Sequence, residues 1–279
     1  MIKFGPSGFC DEFSENHKST EEMPSWLVAH GLKAYELSFT NGVRLSNETA
    51  EKYGKLFEES DIEVSVHAPY FINFANPDPI MIEKSNGYII SSLEKMKFLK
   101  SKKLIFHPGT MMKMSRDEAF NNTYNNIKNL IKILDEQGFK DFVLCPETMG
   151  KHGQIGTVEE IAKICSIDDR IIPTIDFGHV NSYGLGSLKT EADFEEVFNI
   201  FKKHLGDRFN KVHIHFSKIK YGKKGELCHL TFDDTEYGPD FELLANVLKK
   251  LNIQASVICE SRGMQTRDAC IMQNIFNED

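Results

Sequence analysis

Side chains that bind metal ions recur at the ends of short apolar segments in this chain. At least three histidines and three carboxylates stand in such places, and this mixture suits zinc, manganese or iron better than calcium. One zinc ion usually takes four ligands, so the pattern predicts at least two metal ions. Paired ions are a common device for hydrolysing phosphoesters, but single-metal sugar isomerases use similar ligands, and the ligands alone leave both chemistries open. The segment-end residues are His67, His107, Glu147, Asp176, His179, His213, His215 and Glu260.

Eight segments rich in β-branched and apolar residues alternate with helical patterns, which predicts βα units and a parallel sheet. Helices are predicted over Pro79 to Lys100 and Arg116 to Gln137. Eight units in 279 residues predict a single-domain α/β protein, a (β/α)8 TIM barrel over residues 1–279, with the metal site at the C-terminal face of the strands. The predicted strands are Ile2 to Gly5, Ala34 to Phe39, Glu63 to Pro69, Lys103 to Gly109, Phe142 to Thr148, Ile171 to His179, Lys211 to Ser217 and Ala255 to Ser261.

The composition is that of an ordinary globular protein, with 41% apolar and 27% charged residues. A net charge of −8 argues against a protein that coats nucleic acid non-specifically, although it is compatible with a local basic patch. Since no long apolar run and no signal-peptide pattern occur, we expect a cytoplasmic protein with no membrane partner. The six cysteines form no C-x-x-C pair, which predicts free thiols.

The segment from Lys218 to Pro239 shows no clear periodicity and is expected to be a long loop. It follows the seventh predicted strand, so it leaves the barrel at the face where such enzymes keep their active sites. This position predicts a substrate lid. Its lysines are either phosphate contacts or a solvated charged surface.

The most specific block in the sequence is HAPYFINF at residues 67–74. It is similar to the H-x-x-Y-x-I-N-L block of endonuclease IV, the zinc-dependent apurinic/apyrimidinic endonuclease family within the xylose isomerase-like barrels. Further matches, in the same order along nearly the whole chain, are Phe106 to Gly109, Glu147 to Gly150, Asp176 to His179, and Glu260.

The resemblance implies an endodeoxyribonuclease of base-excision repair, which hydrolyses the phosphodiester 5′ to abasic sites in duplex DNA. It further implies two to three zinc ions per chain, with manganese as an alternative ion, no organic cofactor and a monomer. Glu147 is the expected catalytic residue, because it would bridge two ions and orient the attacking water. The implied ligands are His67, His107 and Glu147 for the first ion, Glu147, Asp176, His215 and Glu260 for the second, and His179 and His229 for the third.

The resemblance also implies DNA contacts by Arg44, Tyr70 and Asn73. Arg44 matches a residue that enters the minor groove, and the other two match residues near the abasic site. Damaged duplex DNA is therefore the expected partner, and an abasic nucleotide is cheap to flip out of the helix because its base stacking is missing.

The chain departs from the family pattern at two places. Where the family has an Asp two residues before the third-site His229, this chain has Leu227, and Glu226 would reach the ion only if the local register shifts by one residue. The family's H-L-N-D after strand seven reads HFSK at residues 215–218. Lys218 thus replaces an acid, and it is expected to contact DNA and to help stabilise the leaving group.

Two other functions remain compatible with the sequence. A sugar isomerase or epimerase of the same superfamily would need one metal ion and would use Glu147 and Glu260 as acid and base. A non-catalytic barrel that docks nucleic acid or a protein would need none. His213, two residues before His215, is expected to lie one layer deeper, behind the ligands.

Overall fold

Short parallel strands form the centre of the molecule in a computed structural model that describes residues 2–278. Eight of these strands belong to one barrel: β1 Lys3–Pro6, β2 Ala34–Ser38, β3 Glu63–His67, β4 Lys103–Phe106, β5 Val143–Pro146, β6 Thr174–Asp176, β7 Lys211–Phe216 and β8 Gln254–Cys259. Strands β2 to β5 pair in sequence order, as do β6, β7, β8 and β1. Isolated parallel bridges join β1 to β2 and β5 to β6, which closes the cylinder. The predicted TIM barrel is confirmed.

Helices surround the barrel on the outside. The predicted long helices are confirmed to within one residue at each end, and the left-handed Gly138, at φ +79°, follows the second of them. No helix within residues 2–278 is long and apolar enough to cross a membrane. All six cysteines are free. The α-helices are α1 Asp11–Asn16, α2 Met23–Ala29, α3 Asn47–Glu59, α4 Pro79–Leu99, α5 Arg116–Glu136, α6 Val158–Cys165, α7 Phe177–Tyr183, α8 Glu191–Leu205, α9 Phe241–Lys250 and α10 Gln265–Asn277, with 3₁₀ turns at Thr20–Glu22 and Gly206–Asn210.

Aromatic side chains fill much of the layer between strands and helices. The Phe177 ring contacts those of Phe194 and Phe198, with centroids 5.4 and 5.8 Å apart, and all three side chains are fully buried. Truncating such a residue to Ala typically costs about 3–5 kcal/mol. This packing holds α7, and with it the end of β6, in a fixed place.

The N-terminal end of the barrel is closed by an ionic network around Glu63 on β3. Its carboxylate lies 3.1 Å from Lys3 Nζ and 2.8 Å from Lys103 Nζ, and it accepts a hydrogen bond of 2.6 Å from Ser256 Oγ. These partners come from β1, β4 and β8, so one carboxylate links four strands.

The predicted strands differ from the observed ones by up to three residues at their ends, and two differences bear on the site. Strand β6 ends at Asp176 rather than His179, because the Asp176 carboxylate accepts the His179 N–H at 2.8 Å and starts α7 there. The segment after β7 is not a structureless loop: Lys218–Gly222 and Gly225–Leu230 form an antiparallel hairpin. A bulge interrupts the regular pairing of this hairpin between Lys220 and Tyr221.

Candidate metal centre

Glu147, directly after β5, lies at the middle of the C-terminal mouth and is almost fully buried. Its Oε2 atom is 3.3 Å from His67 Nε2 and 3.2 Å from His107 Nε2. Its Oε1 atom is 3.2 Å from both His215 Nδ1 and His179 Nδ1. Each carboxylate oxygen therefore faces a different pair of histidines, which is the arrangement of a carboxylate that bridges two metal positions.

The first two ligand groups share Glu147. His67, His107 and Glu147 form one, and Glu147, Asp176, His215 and Glu260 form the other, each with its ligand atoms within 4.8 Å of one another.

Asp176 supplies a direct test of whether a cation fits. One of its oxygens caps α7, while the other, Oδ2, is buried without a hydrogen bond and lies 3.2 Å from His179 Nδ1. A buried carboxylate oxygen in this state is costly unless a positive charge compensates it, either a protonated imidazole or a metal ion. The mixture of imidazole and carboxylate donors fits zinc or a similar transition metal.

A third group combines His179 and His229 with Glu226, again within 4.8 Å. Glu226 Oε2 is 3.4 Å from His179 Nε2. In the hairpin, Lys220 pairs with Cys228 and Tyr221 pairs with Glu226, so Leu227 is the extra residue of the bulge. The bulge turns Glu226 to the side of His229 and leaves Leu227 61% exposed. It thereby supplies the one-residue shift that Glu226 needs to act as a ligand.

Two glycines allow the hairpin to approach the site this closely. Glu226 N–H donates to the Gly150 carbonyl at 3.0 Å, and Gly225 adopts φ +91°. A Cβ atom on Gly225 would lie 2.1 Å from the Gly150 oxygen, and one on Gly150 would lie 2.8 Å from Glu226 Cβ. Larger side chains here would push Glu226 away from His179.

Four of the histidines also contact a protein group outside the carboxylate cluster. For His67 and His215 this anchor fixes the ring and leaves the other nitrogen facing Glu147, as for metal-ligating histidines generally. His179 Nδ1 is shared between its anchor and the carboxylates of Glu147 and Asp176, and its Nε2 faces Glu226. The anchoring pairs are His67 Nδ1 with the Ala68 carbonyl at 2.8 Å, His179 Nδ1 with the Thr148 carbonyl at 2.9 Å, His229 Nδ1 with Ser217 Oγ at 2.8 Å, and His215 Nε2 with Glu36 at 3.1 Å.

The charges of these groups favour positive ions throughout the site. Burial alone would raise the pKa of Glu147, but His215, His107 and His179 outweigh it and hold that pKa well below its usual range. Burial would lower the pKa of His179, yet Asp176 and other carboxylates raise it to about 10. His179 therefore holds a proton that it must lose before a metal can bind.

Comparison with known proteins identifies the family. Residues 24–275 match the family described as xylose isomerase-like TIM barrel. The chain belongs to this family. An uncharacterized protein of Methanocaldococcus jannaschii is 30% identical over 279 residues, which cover 100% of this chain and 98% of that protein. A probable endonuclease 4 of Listeria monocytogenes is 31% identical over 222 residues, 74% of this chain and 71% of the relative.

Solved structures with the same fold include both a nuclease and an epimerase-like protein. Endonuclease IV from Thermus thermophilus superimposes with a TM-score of 0.66 at 20% identity, over 99% of this chain and 97% of that one. A D-tagatose 3-epimerase-like protein gives a TM-score of 0.70 at 22% identity, over 98% and 95%. At these identities the likeness establishes the fold alone.

In this xylose isomerase-like barrel, the metal-ligand groups open into a cavity of about 410 Å³. The Tyr70 ring stacks on the His107 ring, with centroids 5.0 Å apart and planes at 25°, and Tyr70 stays 50% exposed. Asp176 and His215 lie beneath the cavity floor, fully buried. The cavity is lined by His67, Tyr70, His107, Glu147, Met149, Lys151, Gln154, His179, Glu226, His229 and Glu260.

Three expected DNA contacts lie outside this lining. Arg44 is exposed on the loop after β2. The Asn73 side chain forms its hydrogen bonds within the protein: Oδ1 accepts from the backbone amides of Ala75 and Thr110, and Nδ2 donates to Thr110 Oγ1. Lys218 Nζ donates to the carbonyls of Phe232 and Asp234. The last two side chains therefore brace loops, and their contact with DNA stays a prediction.

The sequence prediction missed Glu36, on β2. It is fully buried and contacts both His213 and His215, and His213 lies behind the ligands as expected. The available signal was an acidic residue in the middle of the apolar segment AYELSF, since a buried charge requires a partner.

Proposed function

We propose that this protein is a metal-dependent apurinic/apyrimidinic endonuclease that hydrolyses the phosphodiester 5′ to abasic sites in duplex DNA. One observation carries the proposal: three ligand groups meet at one mouth, and two of them share Glu147. A sugar isomerase needs only one such group, whereas several ions suit the charge of a phosphodiester and its leaving oxygen. The endonuclease 4 name of relatives at about 30% identity agrees with this choice.

Zinc is the proposed metal, at two to three ions per chain. When bound, such ions lower the pKa of water and neutralise charge on phosphoryl oxygens. His67, His107 and Glu147 would hold the first ion, and Asp176, His215 and Glu260 would join Glu147 at the second. His179, Glu226 and His229 would hold the third.

The side chains around the metals have separate tasks in this proposal. Glu147 orients the attacking water, because it is the one carboxylate shared between two groups. Tyr70 presents an exposed ring edge above His107, where it can cover the deoxyribose of an extruded abasic nucleotide and exclude water. Arg44, exposed on its loop, would enter the groove at the gap left by the missing base.

The hairpin tip offers contacts for the DNA backbone. Lys220, Lys223 and Lys224 are exposed and make no ion pair within residues 2–278. The hairpin also carries Glu226 and His229, so its lysines lie on the same element as the third ligand group. Lysine contacts of this kind position a protein on DNA without reading its sequence.

A single-metal sugar isomerase or epimerase is the second candidate. It is favoured by the opposite behaviour of two neighbouring carboxylates: burial raises the pKa of Glu260, whereas the surrounding histidines hold that of Glu147 low. Carboxylates whose pKa values are pushed apart suit the roles of acid and base.

Cleavage of a duplex oligonucleotide with one abasic-site analogue tests the proposal. Zinc-loaded protein should cut 5′ to the lesion and leave the undamaged duplex intact, and Glu147→Gln should retain less than about a tenth of the activity. No incision by protein holding its full zinc complement would refute the nuclease. One bound ion together with ketose epimerisation would establish the isomerase, and a protein without metal would point to a non-catalytic barrel.

A further inference from the structure

Glu36 connects the metal centre to the barrel interior from an unexpected direction. It lies on β2, while its histidine partners lie on β7, and these strands are not neighbours in the sheet order. The Glu36–His213 contact, 2.9 Å between Oε2 and Nε2, therefore crosses the inside of the barrel. Glu36, His213 and His215 are all fully buried.

Three donors converge on one oxygen of Glu36. Its Oε2 accepts from Ser65 Oγ at 3.0 Å, from His213 Nε2 at 2.9 Å and from His215 Nε2 at 3.1 Å. An ionised carboxylate only accepts hydrogen bonds, so His215 Nε2 carries a proton and donates it to Glu36.

The consequence appears on the other side of the His215 ring. Its Nδ1 atom is then the nitrogen left for a metal ion, and it faces two carboxylate oxygens, Glu147 Oε1 at 3.2 Å and Glu260 Oε1 at 3.6 Å. These anionic oxygens favour a positive charge at this place, either a proton on Nδ1 or a metal ion that replaces that proton. If the proton moved to Nδ1, it would bond to Glu147 and block the metal.

We propose that Glu36 is a positioning residue, which holds His215 in the tautomer and orientation that let Nδ1 bind a metal ion. This inference rests on the metal centre of the proposed function. It adds a fixed negative charge one layer below the second ligand group, an arrangement that commonly strengthens metal binding by histidine.

The variant Glu36→Gln tests this role with little change in shape. Both Glu36 oxygens are 3.1 Å from His215 Nε2, so either orientation of the new amide places an NH₂ group against that nitrogen. We expect one zinc ion to bind about 10–100-fold more weakly in competition with a chromophoric chelator, while the other ions keep their affinity. Ser65→Ala is the matched control, because it removes one donor but leaves both histidine contacts; it should change zinc affinity by less than about threefold.

Unchanged zinc affinities in a folded Glu36→Gln protein would overturn the proposal. A second result would also overturn it: the parent binds four zinc ions and Glu36→Gln loses one of them completely. Glu36, His213 and His215 would then be the ligands of a separate ion. Nitrogen-15 NMR of the histidine rings in the zinc-loaded parent gives a reading that does not depend on the variant's folding: it should find His215 protonated at Nε2, and a proton at Nδ1 would refute the role. Tight zinc binding without DNA incision would refute the nuclease alone, whereas a parent that binds no zinc would refute both.

Discussion

Replacing Glu226 with Gln tests whether the hairpin bulge completes a third metal site. The third group has only three protein ligands, so the loss of one should matter more than in a four-ligand site. Structural zinc sites with four ligands bind with about 10–16 kcal/mol, or about 3 kcal/mol for each ligand. We therefore expect the affinity for one ion to fall about 100-fold, while the ions that share Glu147 keep theirs.

The assay is metal content after desalting, followed by a zinc titration against a competing chelator. The parent should retain three ions and Glu226→Gln two. Glu236→Gln is the matched control, since Glu236 is exposed on the same segment and outside the ligand groups; it should behave as the parent. Three ions with unchanged affinity in Glu226→Gln would show that the bulge does not supply a ligand.

Four further predictions concern protonation and loop structure. Asp176 and nearby carboxylates raise the pKa of His179 to about 10 despite burial, so this ring must release a proton when it binds zinc. Zinc affinity at the third group should therefore fall by up to about tenfold for each pH unit below neutrality. Equal affinities at acidic and neutral pH would contradict this. Glu63→Gln should lower the free energy of unfolding by about 2 kcal/mol at neutral pH, since Lys103 and its neighbours outweigh burial and lower the Glu63 pKa to about 2. A lowered carboxyl pKa stabilises above the unfolded value of about 4.5, and the effect is lost as pH falls toward 2, so urea unfolding curves of parent and variant should converge there. Asn73→Ala should lower the free energy of unfolding by about 1–3 kcal/mol, because it removes three hydrogen bonds. An unchanged melting temperature would contradict this structural role and favour a role in substrate binding. Lys218→Ala should change turnover on abasic DNA less than about threefold while lowering thermal stability, and the reverse result would restore its role at the leaving group.

The barrel and most residues of the candidate metal centre were accessible from the sequence for a simple physical reason. Parallel strands buried on both faces produce short apolar segments, and ligands at the ends of those segments must meet at one mouth. His67, Glu147 and Glu260 come together although nearly 200 positions separate the first from the last. The residue types and their positions at strand ends were sufficient to predict that these side chains meet.

Features that depend on one local contact were not accessible in the same way. The end of β6 depends on whether the Asp176 carboxylate caps a helix, and an aspartate at this position is compatible with either outcome. The side chains of Asn73 and Lys218 are polar and near the mouth, and only the backbone groups beside them decide that they turn inward. Glu36 was overlooked because it lies within a strand rather than at its end.

The extra residue at Leu227 affects how a loss of function is inferred from sequence. In a sequence alignment, Leu227 stands where related proteins have an aspartate, and it would count as a missing ligand. The protein would then be assigned one metal ion fewer. In the folded hairpin, the carboxylate comes from the preceding residue, because the strand accommodates the offset by a bulge. Candidate ligands in such barrels should therefore be sought among spatial neighbours, since a slip in register can move a carboxylate along the chain and keep it beside the same histidines.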